Sequence, residues 1–148
     1  MKTLTFSLLV IVIIAAFSAQ AEDARSYINA RSAGEKDVLP FSGAVMIGNT
    51  LYLSGAIGLD DKGKIPEDAA QEARNVLNAI KSNLESAGMT MDDLVSIQIF
   101  SSDVSDYQAF NEIYKTFFTR EYPARAFIGA GTLLFDARFE VQGIAVKR

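Results

Sequence analysis

Histidine, cysteine and tryptophan are all missing from this 148-residue chain. Without an imidazole or a thiol there is no Ser-His-Asp or Cys-His triad, no ordinary zinc ligand set and no redox thiol. Chemistry here must run on carboxylates, guanidinium groups, hydroxyls, backbone and water. Disulfides are excluded as well, so packing, alone or with oligomerisation, has to hold the fold together. Proline is scarce, and two of the three punctuate the pattern: Pro66 stands at the start of a helical period and Pro123 closes a loop. Basic runs are also missing.

The one long apolar run stands at the N-terminus. Met1-Lys2 gives a positive start, Leu4 to Phe17 is almost wholly apolar, and Ala19-Gln20-Ala21 has the small-x-small form of a secretory cleavage signal. The expectation is a signal peptide over 1–21, cleaved after Ala21, with an uncleaved anchor as the alternative. An extended polar arm over 22–36 and one domain over 37–148 then follow, in an exported protein, periplasmic and free of the membrane once cleaved. Without the leader the chain has 13 basic against 18 acidic residues. That sign argues against a nucleic-acid partner, whose phosphates it would repel.

Ala44–Ile47 and Leu51–Ser54 read as short strands around a Gly48-Asn49-Thr50 turn, hence a hairpin. Leu59 to Lys64 lacks the alternating acidic ligands of a calcium loop and reads as a solvated connection. From Pro66 to Ala87 an apolar stripe recurs at three and four residues, Ala69, Ala73, Val76, Leu77, Ile80 and Leu84, opposite a polar face that includes Glu72, Arg74 and Lys81. Gly88 ends that helix. Leu94–Phe100 alternates as a strand with one core face. A second helix, capped by Ser105 or Asp106, carries the aromatic stripe Tyr107, Phe110, Tyr114, Phe117 and Phe118, read as core. Strands over Ala124–Leu133 and Phe139–Val146 complete an α+β order of β-β-α-β-α-β-β, with two helices on one face of a single mixed sheet and a sixth strand if the arm pairs. Gly129 and Gly131 make no dinucleotide fingerprint, because no helix opens after them.

Two residues near the end carry the chemistry. Arg125, opening a strand, suits a substrate carboxylate through two parallel charge-assisted hydrogen bonds, and Glu140 on a neighbouring strand suits proton transfer. Their bland reading is an ion pair with each other.

Pro40-Phe41-Ser42, Gly48-Asn49-Thr50-Leu51-Tyr52-Leu53-Ser54-Gly55, Phe110-Asn111-Glu112-Ile113-Tyr114, Pro123-Ala124-Arg125 and Glu140-Val141 together resemble the RidA/YjgF imine deaminases, over about residues 35 to 148. The resemblance implies a homotrimer of chorismate-mutase-like subunits with clefts between them. It also implies hydrolysis of reactive 2-imino acids to 2-oxo acids and ammonia, with no cofactor and no metal. By the same resemblance Arg125 holds the substrate carboxylate, Glu140 orients the attacking water, and Ser54, Gly55 and Asn111 line the pocket. Phe41 stands where the family commonly has a tyrosine, and Phe127 replaces a small residue in the pocket. A non-catalytic trimeric binder of small carboxylates is the alternative function; a ribonuclease, also known in the broad family, fits the net charge poorly.

Overall fold

The computed structural model describes residues 25–29 and 39–148. The leader, its cleavage site after Ala21 and most of the 22–36 arm lie outside the described residues. The elements run β1 (Ser26–Ile28), β2 (Ala44–Ile47), β3 (Thr50–Ile57), α1 (Ala69–Ser86), β4 (Leu94–Ser101), α2 (Tyr107–Tyr114), β5 (Ala124–Gly129) and β6 (Phe139–Val146). They form one six-stranded sheet in the order β1-β2-β3-β6-β4-β5. The arm does pair: Tyr27 lies opposite Val45 in an antiparallel ladder.

The sheet order follows from two crossovers. β3 and β4 each run antiparallel to β6, hence parallel to one another, and α1 connects them; β4 and β5 are directly parallel and α2 connects them. Parallel neighbours need a crossover, and crossovers are right-handed. Both step the same way across the sheet, so both helices land on one face. β6 then inserts between β3 and β4.

Burial on the helix side makes the core. Leu51, Ile97, Ile99, Phe139 and Val141 from the strands meet Val76, Leu77, Ile80 and Leu84 of α1 and Phe110 of α2, all fully buried. Each such side chain contributes roughly 1.5–3 kcal/mol by leaving water.

Boundaries differ from the sequence pattern where side chains intervene. α1 starts at Ala69, not Pro66, because the Asp68 carboxylate accepts from Ala70 and Gln71 N–H at 3.2 Å and fixes the N-cap there. It ends as expected, with Gly88 at φ +69°. Neither Ser105 nor Asp106 caps α2 through its side chain; Asp103 instead accepts from the Ser105 N–H at 2.8 Å and caps the 3-10 turn leading in. β5 stops at Gly129, short of Leu133. After Ala130 N–H bonds Ser101 O at 2.8 Å the chain leaves the ladder, and a turn at Leu134–Asp136 with Phe135 and Asp136 at positive φ redirects it into β6.

Glu72 is not on a solvated face. It is fully buried and accepts from the Arg138 N–H at 2.6 Å, the Phe139 N–H at 3.0 Å and the Arg138 Nη1 at 3.0 Å. Arg138 in turn bonds the Pro66 and Glu67 carbonyls at 3.0 and 2.8 Å. The first turn of α1 is thereby tied to the start of β6, one residue before Glu140.

Candidate functional site

Parallel pairing of β5 with β4 sets Arg125 opposite Ile97, on the helix side of the sheet and beneath α2. Its guanidinium donates from Nη1 to Asn111 Oδ1 at 2.7 Å and from Nη2 to the Tyr107 hydroxyl at 3.3 Å. The guanidinium carbon lies 4.7 Å from the Tyr114 ring centroid and 5.6 Å from that of Tyr107, within cation–π range. No carboxylate pairs with Arg125 among the described residues. A cation held by one amide, one phenol and two ring faces keeps its charge for an incoming anion, and its remaining N–H groups suit a carboxylate.

An open cavity of about 360 Å³ adjoins it, lined by Arg125, Asn111, Glu112, Tyr114, Lys115, Tyr122 and Pro123. Lys115 is already paired with Glu112 at 2.5 Å. Behind the wall, Tyr114 stacks on Tyr122 at 6.0 Å and packs on Phe118 at 4.7 Å. Phe127 does not line this cavity. It packs edge-on to Tyr107 at 5.1 Å and to Phe110 at 5.7 Å, and so braces the phenol that holds Arg125.

Glu140 is elsewhere. It alternates with buried Phe139 and Val141 on β6, so its side chain points to the face of the sheet away from the helices. There its carboxylate lies over Gly55, beside the irregularity that breaks the β3–β6 register between Leu53 and Ala56. A Cβ at Gly55 would meet Glu140 Cδ at 3.1 Å and its Oε1 closer still; glycine gives the carboxylate its room. Ser54 donates to Ser42 O at 2.7 Å, which anchors the loop that presents Phe41, a ring half exposed to solvent.

Arg125 and Glu140 are not on neighbouring strands and form no ion pair, because β4 lies between β5 and β6. The backbones are two strand spacings apart, roughly 10 Å, and offset by three residues, about another 10 Å, with the side chains on opposite faces. One chain therefore brings together Arg125 with Asn111, and separately Glu140 with Gly55, while Ser54 is engaged with Ser42.

Sequence reasoning missed Tyr107 and Tyr114 as neighbours of the cation, having assigned the stripe on α2 to the core alone. The available signal was the pair of hydroxyls two helical turns apart on one stripe of otherwise apolar rings. Among the described residues no cluster of three or more carboxylates could hold a metal ion.

Residues 33–147 match the family profile described as Endoribonuclease L-PSP. The chain belongs to this family, the YjgF/RidA family. Its relatives include the 2-iminobutanoate/2-iminopropanoate deaminase of Dermatophagoides farinae, 36% identical over 109 residues, which span 72% of this chain and 85% of that protein. The protein of the same name from Escherichia coli K12 is 34% identical over 74% of this chain and 88% of its own. Among solved YjgF/RidA structures, the E. coli YjgF gene product superposes with a TM-score of 0.74 at 32% identity, covering 83% of this chain and all of that one. E. coli TdcF with bound serine gives the same score and the same coverage at 28% identity.

Proposed function

We propose that the protein hydrolyses 2-imino acids to 2-oxo acids and ammonia, at sites shared between copies of the chain in a homotrimer. The observation that carries this is Arg125, a cation with no carboxylate partner among the described residues, held beneath α2 beside a cavity lined in part by Tyr114 and Tyr122. Relatives named as imine deaminases support the reaction class.

The chemistry asks little of the protein. An iminium carbon is already electrophilic, so a carboxylate clamp, a placed water and a proton acceptor suffice. Arg125 holds the carboxylate and leaves C2 of the substrate exposed. Glu140, supplied by the adjoining copy because its own chain puts it on the far face, takes a proton as water oxygen bonds to C2. The resulting carbinolamine receives that proton on nitrogen; as the C–N bond breaks the hydroxyl gives its proton back to Glu140 and becomes the carbonyl, and the released ammonia takes that proton and leaves as ammonium. Charge-assisted bonds at Arg125 contribute on the order of 1.5–3 kcal/mol each to anchoring, and the positioned base about a hundredfold to ten-thousandfold in rate.

The test generates 2-iminopropanoate in situ with an amino-acid oxidase and competes the protein against semicarbazide for it. The protein is expected to divert imine from the trap; Arg125→Ala abolishes this, and Glu140→Gln cuts turnover at least about a hundredfold while 2-oxo acid binding persists. Full activity in Arg125→Ala would defeat the proposal. A relative solved with serine bound favours a second reading, a non-catalytic binder of small carboxylates. Binding without any diversion of imine would establish it.

A further inference from the structure

Glu140 stands at a weak point of the sheet. Between Leu53 and Ala56 β3 advances three residues while β6 advances two, from Gly143 to Val141, and the Glu140 carboxylate lies over Gly55 within this bulge. Beyond the bulge only two pairs hold the strands together, Ala56 with Val141 and Ile57 with Glu140. β3 then ends, and the Leu59 N–H bonds back to Ile57 O at 3.0 Å. Among the described residues no strand on that edge accepts from the segment that leads into Glu140.

Glu72 supplies the acceptor. Its Oε1 takes the Arg138 N–H at 2.6 Å and the Phe139 N–H at 3.0 Å, from the two residues directly before Glu140. It also packs against the end of β3: a Cβ at Gly58 would meet Glu72 Cγ at 2.9 Å and the Glu72 carbonyl oxygen closer still. One fully buried residue of α1 therefore fixes both strands of the bulged pair, β3 at Gly58 and β6 at Phe139. Burying a carboxylate is costly unless it is well hydrogen-bonded, and among the described residues every donor to Glu72 belongs to Arg138 or Phe139. Glu140 follows Phe139 by one rigid peptide unit, so a shift of that amide carries the carboxylate off its place over Gly55.

We infer that Glu72 is a positioning residue: by accepting from the Arg138 and Phe139 N–H groups, its carboxylate sets where Glu140 stands beside the bulge, and so how well Glu140 moves the proton. This rests on the reaction proposed above, in which Glu140 is the base. Glu72 itself is fully buried and touches no reactant. The tie lies within one chain and holds whichever copy supplies Arg125.

The deciding experiment compares Glu72→Ala, Glu72→Gln and Arg138→Ala with the wild-type protein. Turnover of 2-iminopropanoate is measured across a range of imine supply, and pyruvate binding by calorimetry. Glu72→Ala frees both amides and is expected to lower kcat at least about tenfold, since a misplacement of about 1 Å costs up to about a hundredfold. Pyruvate should still bind with unchanged affinity and stoichiometry, because Arg125 and its partners on α2 are untouched, and this shows the variant to be folded. Glu72→Gln still offers the amides an oxygen and should stay near the parental kcat. Arg138→Ala deletes the side-chain bonds to Glu72, Pro66 and Glu67 but keeps both backbone bonds; it should lose stability while kcat stays near the parental value. If Glu72→Ala does not fold, Glu72→Asp, which draws the acceptor back by one methylene, should show the same fall in kcat at unchanged pyruvate affinity. An unchanged kcat in the folded Glu72 variant would overturn the inference and leave the reaction standing. So would equal losses in Glu72→Ala and Arg138→Ala, which would follow stability and not position, or a loss confined to pyruvate affinity. A wild-type protein that binds pyruvate and hydrolyses no imine would remove the reaction and this role together.

Discussion

Tyr114 does two jobs with different requirements. Its ring supports the Arg125 guanidinium, while its hydroxyl is buried with no hydrogen-bond partner among the described residues. Burial pushes the phenol up to about 12, against the opposing pull of the Arg125 charge. A folded-state value above the ordinary one near 10 means that the stability it contributes is complete below pH 10 and is lost as pH rises from 10 to 12. Tyr114→Phe keeps the ring and removes the orphaned hydroxyl, so near neutrality the variant should be as stable as the parent or slightly more so. Between pH 9 and pH 12 the stability difference from urea unfolding should then move further in its favour, by up to about 2–3 kcal/mol. An unchanged difference across that range would show that the hydroxyl finds a partner in solution. The hydroxyl's isolation was not legible in the sequence, where Tyr114 reads as one ring in an apolar stripe. Arg125 was legible, because an arginine directly after Pro123-Ala124 starts a strand whatever lies above it.

Elements were readable to the extent that their signals are local. The stripe from Ala69 to Leu84, the Gly48-Asn49-Thr50 turn and the Gly88 stop are set by neighbours a few residues away, and all appear where expected. Glu72 shows the opposite case. Helical periodicity placed it among polar residues, yet its three donors come from Arg138 and Phe139, more than sixty residues on. Glu72→Ala should destabilise the fold by about 2–3 kcal/mol, since the buried Phe139 N–H and the part-buried Arg138 N–H at the start of β6 lose their acceptor while the partly exposed Arg138 side chain can regain water. Glu72→Gln, which still offers one oxygen, should cost less. Urea unfolding of both variants checks this, and equal, negligible losses would mean that β6 is held by its ladder alone.

At the level of the whole molecule, opposite faces of one sheet carry the two residues proposed for catalysis. No rotamer change brings Arg125 and Glu140 of one chain together across the sheet and the intervening β4. A homotrimer in which each site takes Arg125 from one copy and Glu140 from the next makes a quantitative prediction. Arg125→Ala and Glu140→Gln proteins, each inactive alone, should regain activity when unfolded and refolded together in equal amounts. Random mixing in a cyclic trimer leaves about a quarter of the sites with both residues intact, so about a quarter of parental activity is expected. Activity that stays at the level of the separate variants would place each site within one chain.

Composition and local pattern were enough to remove thiol and imidazole chemistry, to set two helices on one face of a mixed sheet, and to single out Arg125 and Glu140 as candidates for binding a carboxylate and moving a proton. Those conclusions depend on residue identity and on spacings of a few residues, which the chain states directly. The position of β6 between β3 and β4, the burial of Glu72, the tyrosines around Arg125 and the separation of Arg125 from Glu140 depend on contacts between distant segments. Strand order settles them, and strand order comes from packing both crossovers and the returning C-terminal strand on one core, an outcome of the whole chain that no local window contains.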